Sequence, residues 1–268
     1  WLKRAARFPG GALACDPPAA ARPQASMENT PEQWYKSLPI VTRVGITTLF
    51  VTTVLVQLEI LDPKLIFLDW PLVINKLQVW RLLTSVCFCG TFSMNFMIQM
   101  YFFSSFSSKL EHNEIFNMPG DYIFFLIVQI LLLDVSSLVM AWPTGFPMLG
   151  PPLIFAIMYY WSRREPYAML SFFGFSIKGY QFPFFMLLFQ VLMGGSIWTD
   201  LLGLASGHTY YFLKEVVPQE YGLTLVKTPS FLHALMQAGG ARGNAGAAQP
   251  RAAPPPRFDG AGQRLGGT

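Results

Sequence analysis

The chain has 268 residues, of which 52% are hydrophobic and only 13% charged, with a formal net charge of +4. A soluble domain carries about 25% charged residues, so the body of this chain reads as a membrane domain. Much of the positive balance lies in two polar ends, so it does not signal nucleic-acid binding; Cys15, Cys87 and Cys89 offer neither a disulfide framework nor a metal box, and no cofactor or metal is expected.

Residues 1–26 are rich in Ala, Pro and Arg. They read as a disordered N-terminal extension with a mild resemblance to an organelle transit peptide, and Met27 reads as the natural start. From Val41 onward six apolar stretches follow, at about 45–61, 91–108, 122–142, 149–161, 182–193 and 197–213. Only the third reaches the roughly 20 residues that span a bilayer comfortably, and the fourth and fifth are short enough to be buried or re-entrant helices. Turn-forming or charged segments separate all six, so each is taken as a span. With the N-terminus in the cytosol, that side receives Lys36, Arg43, Lys109, Arg163, Arg164, Lys178, Lys214 and Lys227, against Lys64, Lys76 and Arg81 opposite. This bias follows the positive-inside rule and puts both termini in the cytosol.

Three features stand out inside the membrane domain. The long loop at 62–90 reads as an amphipathic segment lying in the interface. It carries Trp80, suited to the headgroup level, and Arg81, able to bond several carbonyls or phosphates; an ordinary aromatic-belt anchor is the plainer reading. Gly203 and Gly207 form a GxxxG in the sixth stretch, which fits either a packing face within the chain or an oligomer face. Asn95, Gln99, Gln129 and Asp134, with Gln181 and Gln190, put polar groups among apolar ones. Such groups face a bundle interior or a watery cavity, or they pair as helix–helix hydrogen bonds.

The tail at 238–268 has the Pro, Gly and Ala bias of a disordered segment kept solvated by arginines. Phe258 and Leu265 are lone apolar anchors there, with Gly260 and Gly262 as a pliant spacer. That is the build of a short linear binding motif.

The long loop with Trp80-Arg81, the six spans and the GxxxG together resemble the rhomboid superfamily. A rhomboid protease needs a GxSG serine in span four and a histidine three residues before the GxxxG. Here span four reads Gly150-Pro151-Pro152-Leu153-Ile154-Phe155-Ala156, with no serine before Ser162, and Asp200 stands where the histidine would be. The near misses are Ser176, in Gly174-Phe175-Ser176-Ile177, and His208, beyond the glycines. The fold is therefore expected to be an all-α, six-transmembrane rhomboid-like bundle without protease activity. A serine without a base in reach is a poor nucleophile.

Within that superfamily, Met27–Tyr35, Phe67–Thr84, Gly203–Phe212 and Thr228–Leu232 look like Derlin sequence, making 27–237 a Derlin-like membrane domain. In Derlins a C-terminal F-x-G-x-G-x-x-L box binds a cytosolic AAA+ ATPase, valosin-containing protein. Phe258, Gly260, Gly262 and Leu265 match that box. The resemblance implies a multi-pass protein of the endoplasmic reticulum membrane that supports retrotranslocation of misfolded proteins for degradation. Its partners would be the AAA+ segregase, an ER ubiquitin ligase complex, misfolded protein clients, membrane lipids and further copies or relatives in a homo- or hetero-oligomer. The alternatives are an active intramembrane serine protease using Ser176 and His208, or a membrane scaffold or transporter.

Overall fold

The computed structural model describes residues 31–232 except 114, 115, 117, 118, 173, 224, 225 and 227. The extension at 1–26 and the tail motif Phe258, Gly260, Gly262 and Leu265 lie outside the described residues. Helix α1 (Pro31–Ser37) belongs to a separate unit ending at Ser37, and its Lys36 pairs with Glu32 one turn earlier.

The second unit begins at Leu38. Each of the six apolar stretches contains a helix: α2 (Ile40–Gln57), α6 (Met94–Glu111), α7 (Pro119–Met140), α8 (Gly150–Arg164), α9 (Phe182–Leu192) and α10 (Ile197–Tyr211). Three short helices fill the loop after α2, namely α3 (Pro63–Ile66), α4 (Trp70–Lys76) and α5 (Trp80–Thr84). Proline stands in the first turn of α3, α4, α8 and α9, where its missing N–H costs nothing. Helix α10 continues through a π-helical segment (Phe212–Val216) into α11 (Val217–Tyr221), which ends at Gly222 in the left-handed conformation.

The all-α expectation needs one correction. Met169–Phe172 (β1) and Phe175–Lys178 (β2) form an antiparallel hairpin with Leu170 opposite Ile177. Gly174 takes a positive φ of +84° at the turn. Ile177 is buried between exposed Ser176 and Lys178, which is the two-residue period of a strand. The segment had been read only as a polar connection.

The helices alternate in direction. Thr42, at the start of α2, meets Ser107 near the end of α6, whereas Thr53 near the end of α2 reaches Gly90, before α6 begins. Helix α10 runs antiparallel to α7, through Ser206–Gln129 and Tyr210–Phe125, and parallel to α8. This is the alternation that successive passes require. Among the described residues, two helices, Ile40–Gln57 and Gly120–Met140, are long and apolar enough by themselves to cross a membrane. Only 28% of each such window is buried, so these are not core helices of a soluble protein.

Helix α8 is the central element. Of its residues from Gly150 to Ser162, all but Pro151 are buried. A helix that is apolar all round belongs inside. Two glycines bring α10 against it. A Cβ on Gly203 would collide with the Pro152 carbonyl oxygen and stand 2.9 Å from Phe155 Cβ; one on Gly207 would meet the Ala156 oxygen at 3.0 Å. Both glycines thus pack within the chain. Phe125, Tyr160 and Tyr210 then stack about one another at centroid distances of 4.8–5.3 Å.

A polar network holds one end of the bundle. The Glu111 carboxylate, at the last residue of α6, accepts from the backbone N–H groups of Val41 and Thr42 at 3.0 and 2.9 Å and from the Thr42 hydroxyl at 2.8 Å. It caps the N-terminus of α2, where Pro39 supplies no side-chain cap, and its charge suits the positive end of the helix dipole. Ser107 bridges Thr42 to Tyr122 of α7. Glu111→Ala should destabilise the bundle by about 1–2 kcal/mol, as loss of a cap does, and Glu111→Gln by less. Gly203→Val should cost more, because a backbone carbonyl cannot step aside. Thermal unfolding in mild detergent tests both, and a Gly203→Val protein as stable as the native one would contradict the packing described.

Candidate functional site

The loop between α2 and α6 is held by one buried cation. The Asp62 side chain caps α3 by accepting from Lys64 N–H at 2.9 Å. Leu77, with φ +52°, closes α4 in the left-handed conformation. Arg81, only 4% exposed, then donates to the carbonyl oxygens of Lys64 (2.6 Å) and Phe67 (2.7 Å) and to Gln78 Oε1 (2.7 Å). The carbonyl contacts expected of it are therefore internal, made to its own loop. Its neighbour Trp80 is 54% exposed and stands beside exposed Leu77, Val79 and Leu83, an apolar ridge suited to a lipid interface.

The same loop grips the segment between α7 and α8. Leu68 N–H donates to the Pro147 oxygen and Trp70 N–H to the Thr144 oxygen. Gly145, with φ +79°, lies so close to the Trp70 ring that a Cβ there would stand 2.6 Å from it. An open cavity of about 530 Å³ lies beneath the loop, lined by Lys64, Asp69, Arg81, Thr144 and Pro147 among others.

Of the polar residues picked out in the apolar stretches, Asn95, Gln99, Gln129 and Asp134 do not come together. Among the described residues, no hydrogen bond joins any two of them. Asn95 is half-buried in the first turn of α6. Gln129 of α7, fully buried, accepts from Ser206 Oγ at 2.6 Å, so it ties α7 to α10 between the two glycines. Asp134 is buried further along α7, and neither carboxyl oxygen has a protein partner. Gln99 is buried and lines a small cavity with Gln190 of α9 and Asp200 of α10.

Asp200 was noted in the sequence only as the residue standing in place of a histidine. It is 1% exposed and lines the same cavity as Gln190. A signal was present: Asp200, Gly203 and Gly207 follow at i, i+3 and i+7, which puts all three on one helical stripe. Glu111 gave no such signal, since its role depends on α2, some 70 positions earlier.

Around α8 and α10, no serine among the described residues meets a base. Ser162 is buried at the far end of α8 and donates to the Tyr159 oxygen at 2.6 Å. Ser176 is exposed on β2. His208 Nδ1 is hydrogen-bonded to the Tyr159 hydroxyl at 2.8 Å, and no hydrogen bond joins His208 to Ser176 among the described residues. Among the same residues, no group of three His, Cys, Asp or Glu side chains gathers as a metal ion would need.

The chain has clear relatives. The Der1-like family matches residues 38–230. Derlin-1.1 of Zea mays is 36% identical over 209 residues, covering 78% of this chain and 85% of the maize protein. Derlin-2.2 of Arabidopsis thaliana is 35% identical over 217 residues, covering 78% and 89%. A probable derlin-2 homolog of Dictyostelium discoideum is 37% identical over 209 residues, covering 76% and 82%. With a family match across most of the chain and outward-facing apolar helices long enough to cross a bilayer, this protein belongs to the Der1-like (Derlin) family of membrane proteins.

Proposed function

We propose that this protein is a non-catalytic, six-pass protein of the endoplasmic reticulum membrane with both termini in the cytosol, and that it supports retrotranslocation of misfolded polypeptides for degradation. In this reading its tail recruits a cytosolic AAA+ segregase, valosin-containing protein, through Phe258, Gly260, Gly262 and Leu265, and an ER ubiquitin ligase complex works beside it. Membership of the Derlin family is the observation that carries the reading. The face between α8 and α10 supports the non-catalytic part. By the resemblance, the positions of a rhomboid protease's serine and histidine fall to apolar α8 residues and Asp200 here. No specific observation favours a Ser176–His208 protease or a solute transporter.

The physical task is to lower the barrier for polar chain crossing lipid. Spans four and five both looked short in the sequence, but α8 is enclosed by protein and lipid does not feel its length. Helix α9 is different. With the turn before it, the apolar run Gly179–Leu192 is 14 residues, which reaches only about 22 Å at helical rises. A hydrocarbon core is about 30 Å thick. Phe184, Leu188 and Leu192 point outward from α9, so bilayer beside this helix must thin or deform by roughly 8 Å. Across the bundle, α7 with its 22 residues reaches about 33 Å and needs no thinning.

Two outcomes test this reading. Removing residues 258–266 should abolish co-purification of the AAA+ ATPase from mild detergent while leaving the thermal unfolding of the membrane bundle unchanged; undiminished recovery of the ATPase would overturn the tail assignment. In the loop, Arg81 and Trp80 should separate. Arg81→Ala removes its charge-assisted bonds to two part-buried carbonyl oxygens, at about 1.5–3 kcal/mol each. It should slow client loss in a translation-block chase without affecting ATPase recovery, and Arg81→Lys, lacking the guanidinium fork, should rescue it poorly. Trp80→Ala should leave stability nearly unchanged, and the share of native tryptophan fluorescence that lipid-borne quenchers remove should fall by the part Trp80 contributes; no quenching of Trp80 in the native protein would contradict its seat at the interface.

A further inference from the structure

We propose that Gln99, Gln190 and Asp200 build a water-binding site inside the helix bundle. The three side chains come from α6, α9 and α10 and line one cavity of about 30 Å³, closed by α8 through Ile154, Phe155 and Met158. That volume holds one or two water molecules and nothing larger. Gln99 is 6% and Asp200 1% exposed, and each has an oxygen, Gln99 Oε1 and Asp200 Oδ2, without a protein partner. Gln190 lines the same cavity. The two unpartnered oxygens are acceptors, and with Asp200 ionised neither can donate to the other. The ligand that fits is a small neutral molecule with two donors, and water has both the size and the two O–H groups.

The surrounding chemistry favours retention. The other walls are apolar, including Ile98, Phe102 and Met186, so a water here has no competing partners among them. A buried carboxylate oxygen and amide oxygen left unbonded keep their full desolvation cost, which a shared water recovers. Such a site keeps a polar, hydrated point on the membrane-embedded side of α10, one turn before Gly203. The proposal deepens the reading of a bundle that eases polar groups through lipid, and it rests on α6, α9 and α10 lying in the membrane.

X-ray radiolytic footprinting of the full-length protein in lipid nanodiscs tests it. Radicals formed from a bound water react with the side chains beside it. Met158 and Met186, both nearly inaccessible and both on the cavity wall, should be oxidised on short exposure, whereas Phe125 and Tyr122, buried elsewhere, stay intact. Asp200→Asn keeps an acceptor and should keep the labelling. Gln99→Leu combined with Asp200→Leu should lose it. Protection of Met158 and Met186 in the native protein overturns the proposal, and so does labelling that survives the double substitution. A direct hydrogen bond donated by a protonated Asp200 to Gln99 Oε1 would give the first of these results. Footprinting reports hydration alone, so its failure leaves the client and ATPase experiments able to stand or fall by themselves.

Discussion

The close approach of α10 to α8 governs the arrangement of the other helices. Where Gly203 and Gly207 face Pro152 and Ala156, backbone lies against backbone. In lipid no hydrophobic force separates protein from solvent, so dispersion between closely fitted helices must do most of the work. Interhelical hydrogen bonds such as Ser206–Gln129 add about 0.6 kcal/mol each on average, useful for register but small beside a helix buried along nearly its whole length. With α8 enclosed, α6 and α10 lie against it in the same direction, and exposed apolar side chains remain on α2, α6, α7, α9 and α10.

That enclosure also sorts the polar groups. Those at the end carrying Glu111 are bonded to one another: Glu111 to α2, Ser107 between Thr42 and Tyr122, and Glu215 between Arg164 and Tyr160. At the opposite end, Arg81 satisfies two carbonyl oxygens of the loop that encloses it. Along α6, α7 and α10, Gln99, Asp134 and Asp200 each retain an unpartnered oxygen, as Asp69 does in the loop. Polar atoms left so in hydrocarbon are expensive, which is why the middle of the bundle is where its chemistry is to be sought.

Much of the architecture was legible from apolar runs and their separators, because a helix in lipid must satisfy its own backbone and needs length and hydrophobicity to do so. The helices appeared where the runs predicted, with ends displaced by a few residues. The hairpin at Met169–Lys178 was not read, since four-residue strands leave too short a pattern to separate from a loop. The glycine pair was legible as a packing face, but its partner helix was not, because any helix can offer a backbone. The two shortest spans illustrate the limit best. Sequence treated them alike, yet α8 is enclosed while α9 carries exposed Phe184, Leu188 and Leu192, and burial is a property of the assembled bundle. The polar residues of the apolar stretches formed one set by composition and separate sites by geometry, with Asp200, set aside as a missing histidine, lining the same cavity as Gln99.

The account's central claim is that this bundle acts on the bilayer through one short, lipid-facing helix, without bond cleavage. The most direct measurement is the bilayer thickness around the purified protein in nanodiscs, read from cryo-electron microscopy density. The account predicts a hydrocarbon layer thinned beside α9 and of ordinary depth beside α7. A layer of uniform, ordinary depth around the whole circumference would contradict it.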